Sequence, residues 1–314
     1  MMRYRVAFAA LLVVAGCGGN PFLDEDAAPV VPVDPETGEE IATPLANGVL
    51  AYDDVRGNVN GVTFASTPNG PISLNIDAQD AVTLEGTYTR DASLDWGKYK
   101  AYSYQDTGSN RKVVALVSDE LDSARAVLAV DGGQFANYHG GGVYTRAEAF
   151  TQPVATNDRL RAFNYSGTYV GMVNFGTPTP GGPGGSLNPT QAFRTEGRIL
   201  VTANFAEMSV SGGIDGRRII ETREELADQM MYLGDIDAAG NFTGKMQRLD
   251  VDETTGAGSL TDSGTYAGIF AGPNASEIAA LYVFQPIQGN PDAEERGMFT
   301  SDNCVIEDGP ACRR

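Results

Sequence analysis

Side chains able to do chemistry are scarce in this chain. Its 314 residues include three cysteines, Cys17, Cys304 and Cys312, and a single histidine, His139. That histidine sits in Asn137-Tyr-His-Gly-Gly-Gly142. One histidine cannot furnish a His-based zinc site or a two-His iron site. Tyr138 and His139 are both of types that ligate haem iron; the alternative is a glycine-rich turn between domains with an incidental histidine. A Ser-His-Asp arrangement would lack the Gly-x-Ser-x-Gly elbow that presents a nucleophile, and Ser166 falls within a strand pattern. Asp235-Ile-Asp-Ala-Ala-Gly240 echoes a calcium loop, but Ala239 and Met246 stand where an oxygen ligand and a glutamate belong. Gly181 to Gly185 has no following Lys-Ser/Thr to bind phosphate. No catalytic residue, cofactor or metal site is expected. What remains is aromatic. In Tyr99-Lys-Ala-Tyr-Ser-Tyr-Gln105 the strand period puts Tyr99 with Ala101 on one face and Tyr102 with Tyr104 on the other. With nearby Trp96, and with Tyr138 and His139, these are the binding candidates. Aromatic side chains anchor interfaces, and they also fill β cores.

Cys17 belongs to a different chemistry. Arg3 and Arg5 precede an apolar run from Ala7 to Val14, and Val14-Ala-Gly-Cys17 follows. A positive start, a short apolar core and small residues before a cut describe a secretory signal peptide over residues 1–16. The run is too short to span a bilayer, which takes about 20 apolar residues. A cysteine directly after the small residues resembles a bacterial lipoprotein signal. The resemblance implies cleavage before Cys17, lipid attached there, and export. Gly18 rather than Asp after the cysteine is similar to enterobacterial outer-membrane sorting, which implies anchorage at the periplasmic face or the cell surface. In an oxidising compartment the remaining pair, Cys304 and Cys312, is expected as a disulfide around an Asp-Gly-Pro turn. Their spacing is not the CxxC of a redox pair.

The charge balance is 22 Lys and Arg against 41 Asp and Glu, a net −19. Such a chain repels nucleic-acid phosphates and excludes that class of partner. It repels anionic lipid as well, so membrane association must come from acyl chains. Residues 17–44 are rich in proline and acid and read as an extended tether that cannot fold alone. Residues 45–150 read as a small β-rich domain. From 151 to 303 the strand signals become regular: 160–173, 195–205, 207–220, a hairpin over 234–249 with Asp237-Ala-Ala-Gly-Asn241 at its tip, 264–270, 277–284 and 295–300. Thr222 to Met231 is the one helix candidate, with Thr222 as N-cap and two glutamates in its first turn. About eight strands at short spacing predict an antiparallel barrel, whose closure removes exposed edges. Residues 304–314 form the stapled tail. The fold class expected is therefore all-β, a small β domain followed by an eight-stranded barrel.

The sharpest pattern runs from Ser263 to Phe284, with Gly268, Phe270, Gly272, Pro273, Ala275 and Glu277 spaced as Gly-x-Phe-x-Gly-Pro and then Ala-x-Glu. It resembles the last barrel hairpin of transferrin-binding protein B-like surface lipoproteins. Tyr165-Ser-Gly-Thr-Tyr-Val-Gly171 and residues 197–213 are similar to earlier strands of such a barrel. Ala279 and Ala280 depart from the family pattern, which has glycine there. The resemblance covers about residues 155–303 and implies a single lobe, with 45–150 in the place of a handle domain. It implies a lipid-anchored binding protein that captures a protein or small ligand, including iron or haem carriers, without catalysis. It carries over no ligand and no binding residue. The alternative is a structural or assembly lipoprotein with a filled barrel and only envelope partners. On the pattern itself, Ile278, Ala280, Tyr282 and Phe284 share one strand face, and Ala279, Leu281 and Val283 the other.

Overall fold

The computed structural model describes residues 43–45, 49–63, 69–76, 86–107, 111–118, 121–132, 139–153, 162–175, 192–251, 254, 258–287 and 293–304. The signal segment, Cys17, nearly all of the tether, Tyr138 and Cys312 lie outside them. The described residues are nearly all strand and fall into two sheets.

The first sheet has nine antiparallel strands in the order β1-β2-β9-β8-β7-β6-β5-β4-β3. They are β1 (Thr43–Leu45), β2 (Val49–Ala51), β3 (Val59–Thr63), β4 (Ile72–Ile76), β5 (Gly86–Arg90), β6 (Lys100–Gln105), β7 (Lys112–Ser118), β8 (Ala124–Asp131) and β9 (Gly140–Arg146). A one-turn helix α1 (Asp53–Arg56) joins β2 to β3. The sheet curls until its β3 edge reaches β9: Asn58 N–H, just before β3, donates to the Gly140 carbonyl at 3.0 Å. Inside the curl lie Val62, Ile72, Leu74, Tyr88, Tyr102, Val113 and Val127.

The second sheet is a closed eight-stranded barrel. Its strands are β10 (Ala162–Asn174), β11 (Phe193–Asn204), β12 (Ser209–Ile219), β13 (Gln229–Ile236), β14 (Asn241–Val251), β15 (Gly258–Ala271), β16 (Glu277–Phe284) and β17 (Glu294–Asp302). Each pairs with its chain neighbour, and β10 closes on β17 from Val170↔Met298 to Asn174↔Glu294. The interior is filled with side chains. Tyr165, Tyr169, Phe205, Phe242, Tyr266, Phe270, Tyr282, Phe284 and Phe299 are all buried in one cluster. Phe242 and Phe270 ring centroids lie 4.9 Å apart, and Phe205 and Phe270 5.0 Å. These offset and edge contacts suit aromatic quadrupoles.

The sheet packs against the outer wall of the barrel. Tyr99, Ala101, Val114, Leu116, Ala126, Leu128 and Tyr144 from the sheet meet Val170, Met172, Ala267, Ile269, Ala279, Leu281 and Met298 from the barrel. The wall of β15 and β16 is thus buried on both sides. The alternation expected in β16 holds: Ile278, Ala280, Tyr282 and Phe284 line the barrel interior, while Ala279, Leu281 and Val283 face the sheet. A polar lock crosses the joint. The Glu277 carboxylate accepts the backbone N–H groups of Ser123 at 2.8 Å and Ala124 at 2.7 Å, where β8 begins. Lys98 donates to the Thr300 carbonyl at 2.6 Å, and Arg146 to the Phe270 carbonyl at 2.8 Å.

The helix expected over Thr222–Met231 is not formed. The segment folds back on β12: Ile219 N–H donates to the Glu224 carbonyl at 2.8 Å, and Leu226 N–H to the Arg217 carbonyl at 2.9 Å. Arg223 takes φ 62°, which ends any right-handed helix. Pairing with β12 satisfies the backbone that a helix would have satisfied internally, and it completes the barrel wall. Of the stretch Ser118–Val130, ambiguous in sequence, Ser118 ends β7, 121–123 form a bend and β8 begins at Ala124.

Glu277→Ala leaves two buried N–H groups without a partner. It should lower stability by about 2–4 kcal/mol in urea unfolding, since hydrogen bonds to a carboxylate exceed neutral ones. A loss below about 0.5 kcal/mol would show that the lock contributes nothing.

Candidate functional site

The candidates read from sequence are dispersed. Tyr99 is buried between sheet and barrel, and its hydroxyl donates to the Thr168 carbonyl at 2.9 Å. Tyr102 is buried inside the curled sheet, with Tyr104 packed beside that cluster. The two faces of β6 thus fill two different cores. Trp96 is half-buried at the joint with the Arg194 guanidinium 6.0 Å from its ring centroid. His139 is buried at the start of β9, far along the chain from the tyrosines. Its backbone N–H donates to Asp131 Oδ1 at 2.9 Å. Asp131 is fully buried and also paired with Arg111. Burial pushes its carboxyl up to about 6, against the pull of the His139 N–H and of Arg111. Burial, and then the Arg111 charge, hold the His139 imidazole below its ordinary range. Among the described residues no group of three or more His, Cys, Asp or Glu is placed to hold a metal ion.

Two β-bulges in the barrel wall that faces away from the first sheet build what the sequence did not display. The first is in β12, where one residue of β11, Gly197, stands opposite two of β12, Gly216 and Arg217. Gly216 takes φ 59°, a conformation that only glycine adopts without strain. The inserted residue shifts the inward phase of β12 by one, so that Arg217 rather than Gly216 follows Ile214 into the barrel. There Arg217 pairs with Glu295, both side chains being essentially inaccessible. Glu295 Oε1 also accepts Tyr169 Oη at 2.9 Å and Thr195 Oγ1 at 2.6 Å. Arg217 donates to the Ala227 carbonyl and lies with its guanidinium carbon 4.7 Å from the Phe284 ring centroid. The charge is therefore compensated inside the protein.

Arg217 forms part of the wall of a surface cleft of about 600 Å³, together with Thr168, Glu196, Arg198, Arg218 and Asp228. The cleft wall carries both signs of charge. Arg198 pairs with Asp215 at 2.8 Å, Arg218 pairs with Glu196, and Asp228 Oδ1 accepts the Gly216 N–H at 2.9 Å.

The second bulge is in β13. Between Met231↔Met246 and Asp235↔Thr243, three residues of β13 oppose two of β14. The exposure pattern of β13 records the slip: Tyr232 and Leu233 both face out, where alternation would send one inward. The bulge is pinned from inside. Tyr266 Oη donates to the Tyr232 carbonyl at 2.7 Å. Gly234 makes room for that phenol, because a Cβ there would sit 2.3 Å from Tyr266 Oη. Tyr232 is 57% and Leu233 63% exposed, with Met230 at 45% on the same strand and Leu260 at 50% on β15. Among the described residues these are all the exposed large hydrophobics, and they lie on the two strands that flank β14. Single exposed apolar residues are ordinary, whereas a gathering marks an interaction surface. Sequence reasoning missed this surface because nothing local separates an outward Tyr-Leu from an inward one. The faint signal was four apolar residues in succession, Met230-Met-Tyr-Leu233, where a strand should alternate.

No family model matches the chain, and no curated protein does. Similar solved structures include a transferrin binding protein B double mutant from Haemophilus parasuis Hp5, at 14% identity over 85% of this chain and 61% of that chain, TM-score 0.39. Intact Ap-TbpB, with N and C lobes, is 14% identical over 84% and 62%, TM-score 0.39. The isotype 1 protein from serogroup B Neisseria meningitidis is 13% identical over 81% and 58%, TM-score 0.36. The chain spans about three fifths of the length of these structures.

Two outcomes follow from the buried charges. Arg217→Met strands Glu295 and should cost roughly 3–5 kcal/mol, and adding Glu295→Gln should recover most of it. Additive losses in urea unfolding would disprove the coupling. For Asp131, the folded form binds the proton more tightly than the unfolded chain, whose carboxyl titrates near 4. Stability should therefore fall as pH rises from about 4 to 6, by roughly 2–3 kcal/mol. Asp131→Asn should remove that slope, and an unchanged pH profile in the variant would contradict it.

Proposed function

We propose that this protein is a lipid-anchored binding protein of the outer envelope, holding a protein partner without chemistry. Cys17 carries the lipid, residues 17–44 supply reach, and residues 45–150 and 151–303 act as a handle-like domain and a rigid barrel. Cys304 and Cys312 close the tail as a disulfide. The observation that carries the binding reading is the exposed apolar set Met230, Tyr232 and Leu233 on the free wall of the barrel. A barrel interior packed with aromatic rings favours a partner on the outside over a small ligand within. The same filled interior favours the second reading, an assembly lipoprotein whose partners are resident envelope proteins.

Cys17→Ser should move the protein from the membrane fraction to the soluble periplasmic or secreted fraction. Continued sedimentation with membranes would end the lipid-anchor reading. Thiol labelling under denaturing, non-reducing conditions should leave Cys304 and Cys312 unmodified. Recovery of one soluble carrier with the native protein supports capture. Recovery of a resident outer-membrane protein supports assembly.

A further inference from the structure

We infer that the outward face of β13 docks a cationic protein surface with an apolar centre; the inference rests on the binding reading above and names the chemistry of its partner. Met230, Tyr232 and Leu233 make the apolar centre. The bulge gives Tyr232 and Leu233 consecutive outward positions, and the Tyr266 hydroxyl holds the bulge carbonyl from within. A tyrosine and a leucine on a rigid, pinned backbone can bury area with little ordering of the chain.

The rim is acidic. Asp228, just before β13, and Asp235, on it, bracket the apolar residues, and both are exposed. Asp262 of β15, also exposed, lies in the same row as Met230, through the pairs Met230↔Gln247 and Gln247↔Asp262. The exposed cation nearest in register to the bulge is Lys245 of β14. Over the described parts of β11–β15 and their connections, the other exposed cations are Arg198 and Arg218, which carry their own carboxylate partners, and Arg223, in the connection between β12 and β13. The chain as a whole holds −19. A second copy would bring like charge to this face, and an anionic lipid surface would be repelled. Positive potential meeting negative potential is what steers and registers protein partners. The occupant that fits both the apolar centre and the acidic rim is a protein carrying Lys or Arg around apolar residues.

The test uses the purified full chain and two synthetic strand peptides, one alternating Lys with Leu and Trp, the other with Glu in place of Lys. The cationic peptide should bind saturably and weaken about tenfold between low and physiological salt. The double variant Tyr232→Ser, Leu233→Ser should bind it at least tenfold more weakly with an unchanged melting temperature, since both side chains are exposed. Equal binding of the acidic peptide, salt-independent binding, or binding untouched by the double variant would overturn the inference. So would attachment to phosphatidylcholine vesicles, or a dimer, that the double variant abolishes. A photo-crosslinking residue at position 232 in cells separates the two levels of the argument. Capture of a basic protein supports the inference. Capture of an acidic one sinks it and leaves the binding reading standing. Neither crosslink nor peptide binding removes both.

Discussion

The pairing of β10 with β17 is the constraint on which the rest depends. The other barrel pairs join strands that are neighbours in the chain. This one joins the first barrel strand to the last, and it is formed only after the loop between them has been closed at an entropic cost. Once made, it removes both free edges. It also creates an inside, and an inside must be filled. The rings from Tyr165 to Phe299 fill it, which makes the barrel a solid support rather than a container.

A closed barrel leaves little freedom in register, so a change in side-chain direction requires a bulge. Both bulges in the free wall act this way. The bulge at Gly216 turns an arginine inward, where Glu295, Tyr169 and Thr195 meet it. The bulge at Tyr232 turns two large side chains outward. One makes the interior polar at a single point, and the other makes the exterior apolar at a single point. Each is backed by a specific residue, Glu295 in one case and Tyr266 in the other, because an unmatched buried charge or a displaced carbonyl would otherwise cost the fold stability.

The joint between the sheets divides the barrel wall into two regimes. Strands β15 to β17 and β10 are covered by the first sheet, and β15 and β16 carry near-continuous buried runs. Strands β11 to β14 lack such continuous cover, and along them buried positions alternate with more exposed ones. The covered wall joins the two sheets, and the open wall is where a partner has access. Glu277, from the segment that carries the family resemblance, serves the joint.

The amino-acid order alone determined the all-β class, the hairpin succession in the second half of the chain and the two-faced character of β6 and β16. Alternation with a period of two is a local property, and it sorts faces whatever lies opposite. The order alone also carried the leader pattern and the net charge. Only the tertiary structure decided which core each face enters: Tyr99 goes to the joint, and Tyr102 to the interior of the curled sheet. It overruled the helix at Thr222, because β12 offered that segment a pairing partner that no local propensity anticipates. It decided too that Arg217 points in while Tyr232 and Leu233 point out. A bulge is set by the mismatch between two strands distant in sequence, so its position is written in neither strand alone.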